Sequence, residues 1–176
     1  INFLITDKEY YRVFDFQGRF FNLMGKNHIQ SVGGYDPMYL QDYRDFLWLI
    51  GTHLNTPYES FFSFTGIENL NILKLLNAKY IISGNNLEIL NSSDLVKTAN
   101  NIYEIKNYFP RAYMVPNAIV INDKKEIIKK LKDKSFDFQE NVILEKYPDN
   151  PIRNSSLYKS VQLIKYQPNE IKLKTN

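Results

Sequence analysis

The chain has 176 residues, no cysteine and a formal net charge of +3. That length fits one domain, or one domain and a fragment. The missing cysteines exclude disulfides and thiolate metal sites, and the evenly mixed charges carry no strong polyanion-binding footprint. Apolar residues make up 44% of the chain and aromatics 15%, with 13 Tyr, 12 Phe and one Trp, which is enough for a ring-rich core and a tyrosine-spotted surface. No run approaches the ~20 apolar residues that span a bilayer, and no signal peptide is present. The chain starts at Ile1 rather than Met and stops after IKLKT, so both ends read as cut. Abundant Asn, Ile, Lys and Tyr suggest AT-rich coding, under which Asn-x-Ser at Asn91 and Asn154 arises readily by chance.

In chain order, residues 10–16 (YYRVFDF) carry β-favouring side chains and predict a strand. Residues 17–31 read as a loop. Asp36 is a good N-cap and Pro37 suits a first helical position. Tyr39, Tyr43, Phe46, Leu47 and Ile50 then recur at helical spacing, and Gly51 is a natural stop. Residues 52–64 are irregular. Thr65 with Glu68 makes a capping-box pattern ahead of a helix over 66–77 that is apolar nearly all round and so is expected against a sheet. Residues 79–83 (KYIIS) read as a buried strand and 84–86 as a turn.

Short strands are expected at 87–90, 102–105 and 112–121, the last interrupted by Pro116. Asp123 and Glu126 open a third helix with Ile127, Ile128 and Leu131 inward. Residues 142–145 form a strand, and 147–158, with two prolines, are the best linker. Residues 161–166 and 171–173 pair as a hairpin across 167–170. The sum is a mixed α/β (α+β) layer, a sheet packed by two or three helices, over 1–146. A linker at 147–158 and a hairpin over 159–176 follow, the latter the start of a β-rich segment.

Four strings carry a resemblance: YYRVFDF (10–16), SVGGYDPMYLQDYRDF (31–46), LLNAKYIISG (75–84) and FPRAYMV (109–115). In that order they resemble the YfhO-type bacterial membrane proteins, a family of polytopic glycosyltransferase-like proteins, over roughly residues 10–120. The resemblance implies an extracytoplasmic region at the cell membrane, with the membrane-embedded remainder of the same chain as its partner. It also implies sugar transfer from a lipid-linked donor to a cell-envelope acceptor. The catalytic carboxylates are then expected beside the membrane helices, outside these residues. Under it Gly33, Gly34, Asp36, Pro37, Asn77, Tyr80 and Pro110 serve as architecture.

The residues by themselves leave alternatives. The Gly33-Gly34 turn could admit an anion at a helix N-terminus, but Asp36 would repel it, so a turn that aims the helix is the plainer reading. Tyr35, Tyr39 and Tyr43 could offer ring faces and hydroxyls to a glycan, or simply pack. Arg44 and Arg111 could anchor a polar ligand. A strand arginine flanked by rings is more often ion-paired, and Arg12 or Arg111 with Asp15 or Asp36 is such a pair. His28 and His53 have no metal-ligand spacing. Asp42 and Asp45 lie on a charged helix face and no glycosidase separation is legible. No G-x-S-x-G, Walker or dinucleotide fingerprint occurs. The lysines at 124, 125, 129, 130, 132 and 134 are the strongest basic patch, either a solvated helix face or one drawn to anionic lipid headgroups. No catalytic residue, cofactor, metal or nucleic-acid partner is expected. The leading reading is a non-catalytic domain of a membrane glycosyltransferase-like protein. The alternative is an independent carbohydrate-binding or protein-interaction module.

Overall fold

The computed structural model of the chain describes residues 2–33, 40–53, 64–84, 92–149 and 161–175. Among these are five helices and eight strands in mixed sheets, an α+β fold. The chain divides into two compact units, Ile1–Pro110 and Arg111–Asn176.

The first unit is built on four strands: β1 (Arg12–Asp15), β2 (Ala78–Ile82), β3 (Leu95–Ala99) and β4 (Ile102–Ile105). Their spatial order is β1-β2-β4-β3. β1 and β2 run parallel, with Val13 opposite Tyr80 and Asp15 opposite Ile82, while β4 is antiparallel to both β2 and β3. All five residues of β2 are buried, Lys79 among them, in keeping with its interior position between β1 and β4. Beyond β1, the chain at Gln30–Val32 adds a short parallel contact: Val13 N–H donates to Gln30 O (2.8 Å) and Val32 N–H to Val13 O (2.9 Å).

Side chains alternate across a strand, and the two faces of this sheet have separate cores. One face gathers Val13, Tyr80, Ile82 and Ile102 with Leu4, Tyr11 and Met24. Leu4 belongs to α1 (Asn2–Thr6) and Met24 to α2 (Phe21–Lys26), so these two short helices cover that face. The other face presents Phe14, whose ring meets Phe64 edge-on at 5.1 Å. Phe14, Ile81, Leu4 and Met24 are all essentially inaccessible, and each such side chain contributes about 1.5–3 kcal/mol.

The helix α2 falls inside the segment read as a loop. No side chain caps it and it contains Gly25. It is held by burial of Met24 and by the Met24 N–H to Phe20 O bond, a tertiary cause without a local signature. The helix read from Pro37 starts instead at Gln41: α3 is Gln41–Leu47, and Leu40 before it is extended (φ −64, ψ 127). Asp36 and Pro37 themselves lie outside the described residues. Gly51 is not the helix stop either, since α3 ends at Leu47. A Cβ at Gly51 would sit 2.2 Å from Gly66 O, so the glycine admits a passing backbone. The capping box at Thr65 and Glu68 is also replaced. Asn69 caps α4 (Leu70–Leu75), accepting from Asn71 N–H, while the carboxylate of Glu68 accepts from the Thr52 hydroxyl at 2.7 Å.

At the end of α4 the chain turns through Asn77 in the left-handed region (φ 58). The Asn77 amide donates to Phe109 O (2.8 Å), and Phe109 N–H donates to Lys74 O (3.0 Å). β3 was not anticipated from the sequence; it joins β4 through Asn100-Asn101, with Asn101 left-handed (φ 62). The strand read at 87–90 lies outside the described residues.

In the second unit, β5 (Asn117–Val120), α5 (Lys124–Lys132) and β6 (Asn141–Leu144) form a β-α-β unit with parallel strands. Pro116 stands immediately before β5, which is shorter than the strand read over 112–121. β7 (Val161–Gln167) and β8 (Glu170–Thr175) form an antiparallel hairpin, with a register shift between Leu163 and Lys165. Residues 150–160, most of the linker segment, are outside the described residues.

Candidate functional site

The densest polar constellation gathers on Lys79 of β2. Its Nζ lies 2.6 Å from Asp7 Oδ2 and 2.7 Å from Glu9 Oε2. The Tyr80 hydroxyl donates to the same Asp7 oxygen at 2.8 Å, and the Tyr108 hydroxyl donates to Glu9 in a short bond. The rings of Tyr11, Tyr80 and Tyr108 stand 5.7, 5.5 and 5.7 Å from the ammonium, within cation–π range. Tyr11 in turn donates to Leu4 O. Lys79 is buried at 9% exposure.

The fold explains the assembly. The centre of the sheet brings Lys79 and Tyr80, the end of β4 leads into Tyr108, and the stretch between α1 and β1 supplies Asp7 and Glu9. Burial alone would drive Lys79 towards its neutral form, but the hydrogen bonds to Asp7 and Glu9 outweigh it and raise its pKa. Burial likewise disfavours the Asp7 carboxylate, yet the bonds from Lys79, the Glu9 backbone and Tyr80 together hold its pKa below the usual value. Lys79 and Tyr108 lower that of Glu9. Burial pushes the Tyr11 and Tyr108 phenols up to about 12, and burial and the bond to Asp7 raise Tyr80 as well. Every member is therefore locked in one protonation state near neutral pH. A lysine held protonated near neutral pH has no lone pair to offer as nucleophile or base. The cluster's bonds tie the N-terminal segment to the sheet.

Asp15 differs from those two carboxyls. At 2% exposure, burial raises its pKa, against the backbone N–H groups of Phe20, Arg19, Gln17 and Gly18, which lower it. One oxygen accepts from Gln17 N–H at 3.3 Å and the other from Phe20 N–H at 2.5 Å. The acid thus closes the turn after β1. The expected Arg12–Asp15 pair is not made; Arg12 donates to Leu76 O at 3.0 Å.

Of the residues read as possible ligand contacts, Tyr35 and Tyr39 lie outside the described residues, as do Gly34, Asp36 and Pro37. Tyr43 is partly exposed, but its hydroxyl donates to Val32 O at 2.6 Å, tying α3 to the edge of the sheet. Arg44 pairs with Asp45 at 3.1 Å and lies 4.6 Å from the centre of the Trp48 ring. The His53 ring stacks on that same indole at 4.4 Å and 6°. This Arg44–Trp48–His53 stack was not read from the sequence; the spacing Arg44 to Trp48, one helical turn, was its only local signal. Arg111 sits in the second unit, its guanidinium 5.1 Å from the Tyr166 ring. The structure thus groups Tyr43 with Arg44 on α3 and does not place Arg111 in that unit. Gly33 bends the chain after Val32, and Pro110 follows Phe109. No group of three or more His, Asp or Glu that could hold a metal ion occurs among the described residues, and no helix among them is long and apolar enough to cross a membrane.

No family model, curated protein or solved structure matches this chain.

Proposed function

We propose that this chain is a non-catalytic, extracytoplasmic region of a multi-spanning, glycosyltransferase-like membrane protein of the YfhO type. In this reading it holds the membrane-embedded remainder of the chain in position for sugar transfer from a lipid-linked donor to a cell-envelope acceptor. One observation supports the reading most. Parts of all four strings that carry the resemblance bond to one another in the first unit. RVFD is β1, AKYII is β2, and the two pair in parallel. The start of the SVGG string bonds to β1 through Val32. Phe109, at the head of FPRAYMV, bonds to Lys74 and Asn77 at the β2 entrance. A signature made of mutually supporting frame elements is what an architectural region would carry.

The locked protonation of the Lys79 cluster favours support over chemistry. The coding sequence on either side of this chain tests the reading. Several apolar segments of about 20 residues are expected there; a full-length product without any would contradict it.

A further inference from the structure

Residues 123–134, DKKEIIKKLKDK, place six lysines among three acids. On α5 the apolar residues Ile127, Ile128 and Leu131 are half-buried, while Lys125, Lys129 and Lys132 are exposed. Spacings of four and three put these lysines on one helix face, and Lys134 is exposed just beyond. Two of the acids are already engaged. Asp123 caps the helix by accepting from Glu126 N–H at 2.9 Å. Asp133 accepts from Ser135 N–H at 2.9 Å and from its hydroxyl at 2.6 Å, with Lys130 as its ion-pair partner. No carboxylate among the described residues pairs with Lys125, Lys129 or Lys132. The bias extends beyond the helix. Residues 111–176 hold 13 Lys and Arg against eight Asp and Glu, whereas residues 1–110 hold nine against eleven.

We propose that this face of α5 is an electrostatic docking surface for an anionic lipid bilayer. The charge type and its surroundings select that partner. The patch contains lysine and no arginine, so it lacks the planar fork that grips a single phosphate or a base edge. Its nearest rings in sequence, Phe136 and Phe138, are buried against each other and offer no platform for a nucleobase. Every exposed residue of α5 is charged and its apolar residues Ile127, Ile128 and Leu131 are half-buried, whereas a protein interface is normally anchored by an apolar side chain. A row of point charges without a fork, a ring or an apolar anchor suits a diffuse field of headgroups, where each basic residue strengthens binding about fivefold.

The test is co-sedimentation of the 176-residue chain with vesicles of phosphatidylcholine alone or with 30% phosphatidylglycerol, from low to high salt. Binding is expected only to the anionic vesicles, and it should fall as ionic strength rises. Lys125→Gln, Lys129→Gln and Lys132→Gln combined should weaken it about a hundredfold with unchanged helicity by circular dichroism. The same exchange at the exposed Lys8, Lys26 and Lys97 should change it less than about threefold. Equal losses in the two triple variants would overturn the proposal, as would tighter binding to a single-stranded oligonucleotide. So would an absence of binding to anionic vesicles at low salt, a result that needs no variant at all. The surface is independent of the membrane-parent reading: flanking apolar segments decide that one, and vesicles decide this one.

Discussion

Lys79 shows how the physical setting of one residue separates support from catalysis. Replacing it with Met keeps the length and the apolar stem but leaves Asp7 and Glu9 without their cation. Breaking a buried pair from one side costs 3–5 kcal/mol; because the Glu9 side chain is 60% exposed, about 2–3 kcal/mol is expected here. The sign with pH follows from the shifts. Asp7 and Glu9 are lowered, so their contribution is present above about pH 4 and lost as pH falls through their folded values. Lys79 is raised, so its contribution is full below about pH 10 and is lost only in stronger alkali. Urea unfolding of wild type and Lys79→Met should therefore differ by a constant amount between about pH 5 and 9, and the gap should narrow towards pH 3. A gap that stays constant down to pH 3 would mean that packing, and not charge pairing, holds the N-terminal segment.

At the scale of elements, the turn from α4 into β2 rests on Asn77, which is left-handed, 2% exposed and bonded to Phe109 O. Asn77→Ala should cost about 2–3 kcal/mol, because alanine resists this conformation and leaves a buried carbonyl unpaired. Asn77→Gly should recover only the conformational part, about 1 kcal/mol, as read by thermal unfolding. Equal losses for both would assign the whole effect to the amide. The contrast between these elements also explains what was legible beforehand. β1, β2, β4, α5, β6 and the β7–β8 hairpin announced themselves by apolar runs, a capping Asp123 or a Pro168-Asn169 turn. α2 and the true start of α3 did not, because burial of Met24 and an extended Leu40 are set by distant packing. β3 escaped because LVKTA is mostly exposed, although the Asn100-Asn101 pair before IYEI was a turn signal. The Lys79 cluster was hidden for a related reason. Asp7 and Glu9 lie 70 residues or more before Lys79 and Tyr108 about 30 beyond it; the parallel pairing of β1 with β2 brings the first two to it and the antiparallel pairing of β2 with β4 brings the third.

For the molecule as a whole, the proposed reading takes the four strings as frame rather than chemistry and the second unit as the supplier of a basic face. Both fit a region that sits beside a membrane on its outer side, and that placement is the central claim. The chain has no cysteine, so an introduced thiol is the only one in this region. In the full-length protein, Tyr147→Cys, at a side chain 79% exposed, should react with a membrane-impermeant maleimide in intact cells, above the background of the parent without that cysteine. Labelling that appears only after the cells are lysed would contradict the account.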